Sequence, residues 1–273
     1  MKILILGGKG MAGHMVTDYL SRIDRYEVSF TSRTGEGIPL DAANFDEVKG
    51  LISDKQPDVI INCIGLLNDQ AAANLVEAIK VNSLLPHVLA ETASLYGGKV
   101  IHISTDCVFS GEKGSYAETD LLDGTSIYAK TKALGEITHA PHLTIRTSII
   151  GPELKESGIG LFHWFQQQTG MVNGFTNVWW NGVTTLELAK GIDHVIQKNI
   201  TGLLHLTAPQ PISKHDLLML LQQSFQKNDV KIIEDGRLSI DRTLVNTRKD
   251  FDYQVPDYPE MISALANWMK QDG

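Results

Sequence analysis

Apolar residues run unbroken through Lys2–Leu6 and then recur at helical spacing through Met11–Leu20, which predicts a strand, a glycine turn and a helix in quick succession. A second strand is expected at Glu27–Thr31 and a helix at Phe45–Ser53, which leads through Pro57 to the buried strand Val59-Ile60-Ile61. Ala71–Ala93 reads as largely helical with an interruption near Pro86, because proline removes a helical donor. Lys99–Ser104 is extended, Tyr128–Thr138 helical and Leu143–Ile150 extended again.

Strand and helix therefore alternate through the first 150 residues, the order that builds a doubly wound parallel sheet in the α/β class. Beyond Gly151 the alternation loosens into a helix at Gly160–Thr169, a turn at Asn181-Gly182, a helix at Leu186–Gln197 and a strand at Gly202–Leu206. The last two resemble a return to the main sheet, at about 183–208. From Ala208 onward come a helix at Lys214–Gln226, a strand near Val230–Ile233 and a helix at Pro259–Met269. Residues 151–182 and 209–273 are assigned to a small substrate lobe.

With 273 residues, 42% hydrophobic and 21% charged, the chain can bury a large core. Its net charge of −8 and singly scattered Lys and Arg argue against nucleic-acid binding, since no basic stripe exists to neutralise phosphates. The two cysteines, Cys63 and Cys107, have neither CxxC nor metal-ligand spacing, so no metal is expected and a reducing cytoplasm fits best. Met1 leads straight into the first strand and no long apolar span occurs, so neither export nor membrane anchoring is expected.

The glycine turn carries the first chemistry. Gly7-Gly8-Lys9-Gly10-Met11-Ala12-Gly13 places three glycines at Gly-x-x-Gly-x-x-Gly between strand and helix, where a pyrophosphate can approach the backbone and meet the positive end of the helix. That is the dinucleotide cradle of a Rossmann-type fold. Lys9 is either a solvated turn residue or an aid to the phosphates. The second strand ends in Phe30-Thr31-Ser32-Arg33, without the carboxylate that holds an NAD ribose; Arg33 can pair with a 2′-phosphate instead, which favours NADP over NAD. Asp41 lies where the adenine end is expected, although helix capping accounts for it equally well.

Tyr128-Ala129-Lys130-Thr131-Lys132 sets a phenol and an ammonium four residues apart, on one helix face. Upstream, Ser104-Thr105-Asp106 closes a strand at the edge where a doubly wound sheet binds ligands. Ketone reduction needs a hydride on carbon and a proton on oxygen. Tyr128 is the expected proton donor, Lys132 lowers its pKa and holds the nicotinamide ribose, and Thr105 hydrogen-bonds the carbonyl oxygen, with Ser104 as the reserve hydroxyl. In the tail, Arg237 and Arg242 are candidates to meet a substrate diphosphate. Trp179 or Trp180 is a candidate to stack on its base, with core packing the competing account.

These residues resemble the extended short-chain dehydrogenases, and within them the dTDP-4-dehydrorhamnose reductases, over nearly the whole chain. The carriers are the glycine turn, Pro57–Cys63, Val81-Asn82, Ser104–Gly111, Tyr128–Glu136 and Arg146-Thr147-Ser148. The resemblance implies an NADP-dependent oxidoreductase acting on a nucleotide-diphosphate sugar, as a monomer or homodimer. It implies that Asn62, Cys63, Ile64 and Gly65 line the cofactor crevice, joined by Met11, Ser32 and Ser104. Asn82 is expected to support Lys132 through a water, Ser148–Gly151 to lie beside the nicotinamide, and Thr105, Asp106 and Val108 to face substrate. The chain departs from the pattern at Cys107 and Ile149-Ile150, where the rhamnose enzymes usually have aromatics. A nucleotide-sugar epimerase or dehydratase with retained NAD, and a non-catalytic NADP-binding regulatory subunit, are the competing readings.

Overall fold

A computed structural model describes residues 1–156 and 158–271. In chain order the elements are β1 (Lys2–Leu6), α1 (Met11–Ser21), β2 (Glu27–Ser32), β3 (Ile38–Pro39), α2 (Phe45–Lys55), β4 (Val59–Asn62), α3 (Asn68–Ala73), α4 (Leu75–Ala78) and, after a π-helical turn at Ile79–Leu84, α5 (Leu85–Leu95). There follow β5 (Lys99–Thr105), α6 (Ile127–Leu134), β6 (Leu143–Thr147), β7 (Ile149–Ile150), α7 (Leu161–Gln167), β8 (Gly170–Trp180), β9 (Val183–Thr184), α8 (Thr185–Gln197), β10 (Gly202–His205), β11 (Ile212–Ser213), α9 (Lys214–Ser224), β12 (Val230–Asp241) and α10 (Tyr258–Gln271).

Seven parallel strands form the main sheet in the order β10-β6-β5-β4-β1-β2-β3. Alternation along β1 explains why both faces are covered. Ile3 and Ile5 enter one apolar cluster with residues of α1 and α8, while Leu4 and Leu6 enter another with residues of α2 and α5. Strand order reverses between β1 and β4, so the crevice beyond their carboxyl ends is the natural ligand site of such a sheet. Polar caps start the helices where the sequence places them: Asn44 accepts from Glu47 N, Ser126 from Ala129 N, Thr184 from Glu187 N and Ser213 from Asp216 N.

Four elements differ from the sequence reading. The helix expected over Ala71–Ala93 breaks at Asn74 and again into the π-helical turn before Pro86, which sits in the first turn of α5, the one place where its missing N–H costs nothing. Helix α6 stops at Leu134, capped by Gly135, instead of running to Thr138. Strand β8 was not anticipated, and β12 extends to Asp241 instead of ending near Ile233. With β11 they make a three-stranded sheet; in β8 the exposed apolar Met171 and Trp179 and the buried Gly174 blur the alternation that marks a half-buried strand. No helix among the described residues is long and apolar enough to cross a membrane.

Candidate active site

The glycine turn closes on itself after β1. Gly7 takes a φ of +80°, a region that favours glycine, and its carbonyl accepts from Gly10 N over 2.9 Å. A Cβ on Gly13 would lie 2.1 Å from that same carbonyl oxygen, so the approach of α1 to the turn requires glycine there. Thr31 anchors the turn from β2, its Oγ1 accepting from Gly7 N over 3.2 Å and its carbonyl from Gly8 N over 2.9 Å. Helix α1 has no side-chain cap, unlike α2, α6, α8 and α9, and no acidic residue in its first turn. The turn therefore leaves backbone donors and the positive helix end for an anion, and fits a dinucleotide pyrophosphate.

Other expected cofactor residues gather nearby. Ile64 packs against Gly7, and Gly65 lies beside Asn82 Oδ1. The Cys63 thiol is pushed up to about 12 by burial, against the opposing charge of Lys132. Met11 lies against Gly160. Arg33 is exposed at the end of β2. Several side chains are committed elsewhere. Lys9 pairs with Glu36 at 2.9 Å and holds that carboxyl below its ordinary range. Ser32 donates to Thr34 O and Glu36 O, and Asp41 accepts from Ala43 N over 3.0 Å in the turn before α2. The Ser148 carbonyl accepts from Val183 N, where the chain leaves β6 for β7.

Thr105, Tyr128 and Lys132 converge at the carboxyl end of β5. Thr105 Oγ1 donates to Asp106 Oδ1 and accepts from Cys107 N, each over 3.1 Å. Tyr128, in the first turn of α6, is buried, and its phenol is pushed above the ordinary range by that burial and by Cys107, with the Thr105 hydroxyl opposing. This reverses one expectation: Lys132 does not lower the Tyr128 pKa here. The Lys132 side chain, 3% exposed, turns inward, donating from Nζ to Ile103 O over 2.7 Å and lying 3.1 Å from His102 Nε2. Burial pulls it down to about 8, with Glu136 and Cys63 opposing.

The Asn82 amide accepts from Leu66 N and donates to Leu66 O and Thr131 Oγ1, clamping the loop after β4 to α6. Further expectations need correction. Ser104 is spent on Glu136 at 2.7 Å. Val108 packs with Phe109, Tyr116 and Leu244, so its side chain faces core instead of substrate. Trp180 is 4% exposed and tilted on Tyr258, which leaves it no free face for a base; Trp179 is the exposed member of the pair. Arg237 is held by Asp235 through bonds of 2.9 and 2.6 Å, with its side chain 81% exposed, and makes no bond to the residues around Tyr128.

Arg242 does reach the site, donating from Nε to Phe109 O over 3.1 Å, and its charge acts on Asp106. The sequence reading missed Lys214, the first residue of α9. Its Nζ lies 4.7 Å over the Trp180 ring, and its charge acts on Asp106 and Cys107. Burial lowers it to about 8, while burial pushes Asp106 up against the pull of Lys214 and Arg242. His102 was missed too, because a histidine inside an apolar strand reads as core. The structure thus offers an anion cradle after β1, and a hydroxyl, a phenol and two cations around the end of β5. Among the described residues no cluster of His, Cys, Asp or Glu is arranged to hold a metal ion.

A family model described as the RmlD substrate binding domain matches residues 1–235. The chain is 36% identical over 153 residues to a dTDP-4-dehydrorhamnose reductase of Aggregatibacter actinomycetemcomitans, a match over 54% of this chain and 51% of that one. The chain thus spans about half the length of the curated relatives it matches. Among solved structures, a dTDP-4-dehydrorhamnose reductase of Clostridium acetobutylicum superposes with a TM-score of 0.85 at 24% identity, covering 99% of this chain and 100% of that one. The Bacillus anthracis enzyme of that name, in complex with NADP, gives 0.84 at 19% identity, covering 98% and 99%. At those identities the likeness establishes the fold.

Proposed function

The chain belongs to the family described as the RmlD substrate binding domain, and from that premise we propose that it is an NADPH-preferring reductase of a 4-keto-6-deoxy nucleotide sugar. The substrate class comes from the relatives named dTDP-4-dehydrorhamnose reductase, and the cofactor from the neighbour in complex with NADP together with Arg33. The observation that carries the reading is the buried Tyr128 phenol beside Thr105, one helical turn from Lys132, in a crevice that begins at the Gly7–Gly13 cradle.

Gly7, Gly10 and Gly13 present the backbone to the pyrophosphate, Ile64 and Gly65 wall the crevice, Arg33 meets the 2′-phosphate, and Lys132 meets the ribose. Bound there, NADPH supplies the hydride. Tyr128 gives its proton to the substrate oxygen, and its raised pKa keeps it protonated across the neutral range. Thr105 turns its hydroxyl from Asp106 to the same oxygen as negative charge develops. Residues 151–182 and 209–273 form the substrate lobe, and 183–208 complete the cofactor domain.

The test is loss of reduced-cofactor absorbance with a panel of 4-keto nucleotide sugars, using NADPH and NADH in parallel. Turnover with at least one, lowered by orders of magnitude in Tyr128→Phe with cofactor affinity unchanged, supports the reading. Equal use of both cofactors in wild type, with no effect of Arg33→Ala, overturns the NADP assignment. Wild-type turnover in Tyr128→Phe overturns the mechanism.

A further inference from the structure

Behind Lys132 lies a buried chain of three side chains with a fixed sense. Asn62 Oδ1 accepts from Ile64 N over 3.1 Å, and because a backbone N–H can only donate, the orientation of the Asn62 amide is set. Its Nδ2 therefore donates across 3.1 Å to His102 Nδ1. A ring nitrogen that accepts carries no hydrogen, so the neutral His102 bears its proton on Nε2, the atom 3.1 Å from Lys132 Nζ. An ammonium there would set N–H against N–H. A free amine has a lone pair to accept from Nε2–H while it donates to Ile103 O.

We propose that in mildly alkaline solution His102 is a positioning residue that holds Lys132 as an uncharged amine turned away from Tyr128 in the cofactor-free protein, so that dinucleotide binding brings a proton to Lys132. This rests on the reading that Lys132 meets the dinucleotide ribose. The surroundings agree. His102 is fully buried, and that burial holds it well below its ordinary range, so it stays neutral. Lys132 is lowered to about 8, and the other groups facing it, Glu136 and Cys63, favour its charge without overcoming burial. Ribose hydroxyl oxygens and phosphate charge entering the crevice favour the ammonium, and the proton comes from solvent. Cofactor capture and the charging of Lys132 are then a single event.

The test is a calorimetric titration of NADP into the protein at pH 8.5, in two buffers of different ionisation heat, which counts the protons taken up. An amine of pKa about 8 predicts uptake of about three quarters of a proton in wild type. His102→Gln, whose amide can still donate to Lys132, keeps most of that uptake. His102→Leu removes the donor that favours the amine and, with burial still acting on Lys132, lowers uptake measurably below that of His102→Gln. Uptake absent from wild type, or equal in wild type and His102→Leu, overturns the proposal. Independently of any ligand, the ¹⁵N spectrum of the free wild-type protein must show His102 neutral with its hydrogen on Nε2; a hydrogen on Nδ1 overturns it. Failure of NADP to bind at all counts against the proposed function, and the imidazole spectrum then decides the His102 assignment alone.

Discussion

Glu136 grips Arg146 through two bonds, 2.8 Å to Nε and 2.7 Å to Nη2, with both side chains only 4% exposed. The same carboxylate accepts from Ser104 over 2.7 Å, and Arg146 donates to Glu118 O, so β5, β6 and the segment after α6 meet at one buried charge pair. Removing one partner leaves the other charged and desolvated. Arg146→Met should therefore lower stability by about 3–5 kcal/mol, and Ser104→Ala by about 1–2 kcal/mol. Urea denaturation of both variants checks this, and a loss under about 1 kcal/mol for Arg146→Met would show that the pair is only incidental to the fold.

Two glycines in helices should respond in opposite ways to alanine. At Gly13 the new methyl meets the Gly7 carbonyl at 2.1 Å, which pushes α1 away from the turn; NADP affinity should fall at least tenfold. At Gly50, within α2, the methyl meets nothing, and Gly50→Ala should stabilise the protein by about 0.5–1 kcal/mol with binding untouched. Cofactor titration and thermal melts of the two variants separate these outcomes.

Most of the main sheet was legible because β1, β4 and β5 are short apolar runs and α2, α6 and α8 start on polar caps. The glycine turn and the Tyr128–Lys132 spacing were legible for a related reason: both are local patterns whose meaning depends on the strand before them. What escaped is non-local. Neither the inward turn of Lys132 toward Ile103 O nor the approach of Lys214 to Asp106 leaves a periodic mark, since each joins residues from separate elements. Arg237 shows the converse: an arginine two residues after Asp235 reads as a free cation until the bulge between Asp235 and Ser239 folds it back onto that carboxylate.

Stability should rise with pH in the mildly alkaline range. Lys132 and Lys214 each fall to about 8 in the folded protein, whereas an unfolded lysine titrates near 10.4. Between those values the unfolded chain binds more protons than the folded one, so raising the pH favours folding. Above pH 10 the sign changes, because folded Tyr128 keeps a proton that the unfolded chain releases. Lys132→Met with Lys214→Met should flatten the rise between pH 8 and 10 and make the protein more stable than wild type at pH 7, where two desolvated ammonium groups are lost. Urea midpoints at three or four pH values decide it; a rise that persists in the double variant would place its origin elsewhere.

The last prediction concerns which cations would meet the proposed nucleotide-sugar substrate. Arg237, Arg242 and Lys214 are the candidates in the tail, and their surroundings rank them. Arg237 is already neutralised by Asp235, whose carboxyl it holds near 2, and it faces solvent. Arg242 spends one donor on Phe109 O and directs its charge at Asp106, leaving the rest of its fork to bind a phosphate bidentately. Lys214 rests on the face of Trp180 and donates to no acceptor among the described residues, so its ammonium is available to a phosphate or a sugar hydroxyl. Titrating dTDP and UDP into the three variants should give unchanged affinity for Arg237→Ala and a loss of tenfold or more for Arg242→Ala. For Lys214→Met the loss with the diphosphates alone should be smaller than the rise in KM for the full nucleotide sugar, because Lys214 stands beside Asp106 and Cys107 at the Tyr128 end of the cleft. Equal losses for dTDP and for the intact substrate would move Lys214 to the diphosphate instead, and an affinity loss confined to Arg237→Ala would show that the substrate enters from the other side of β12.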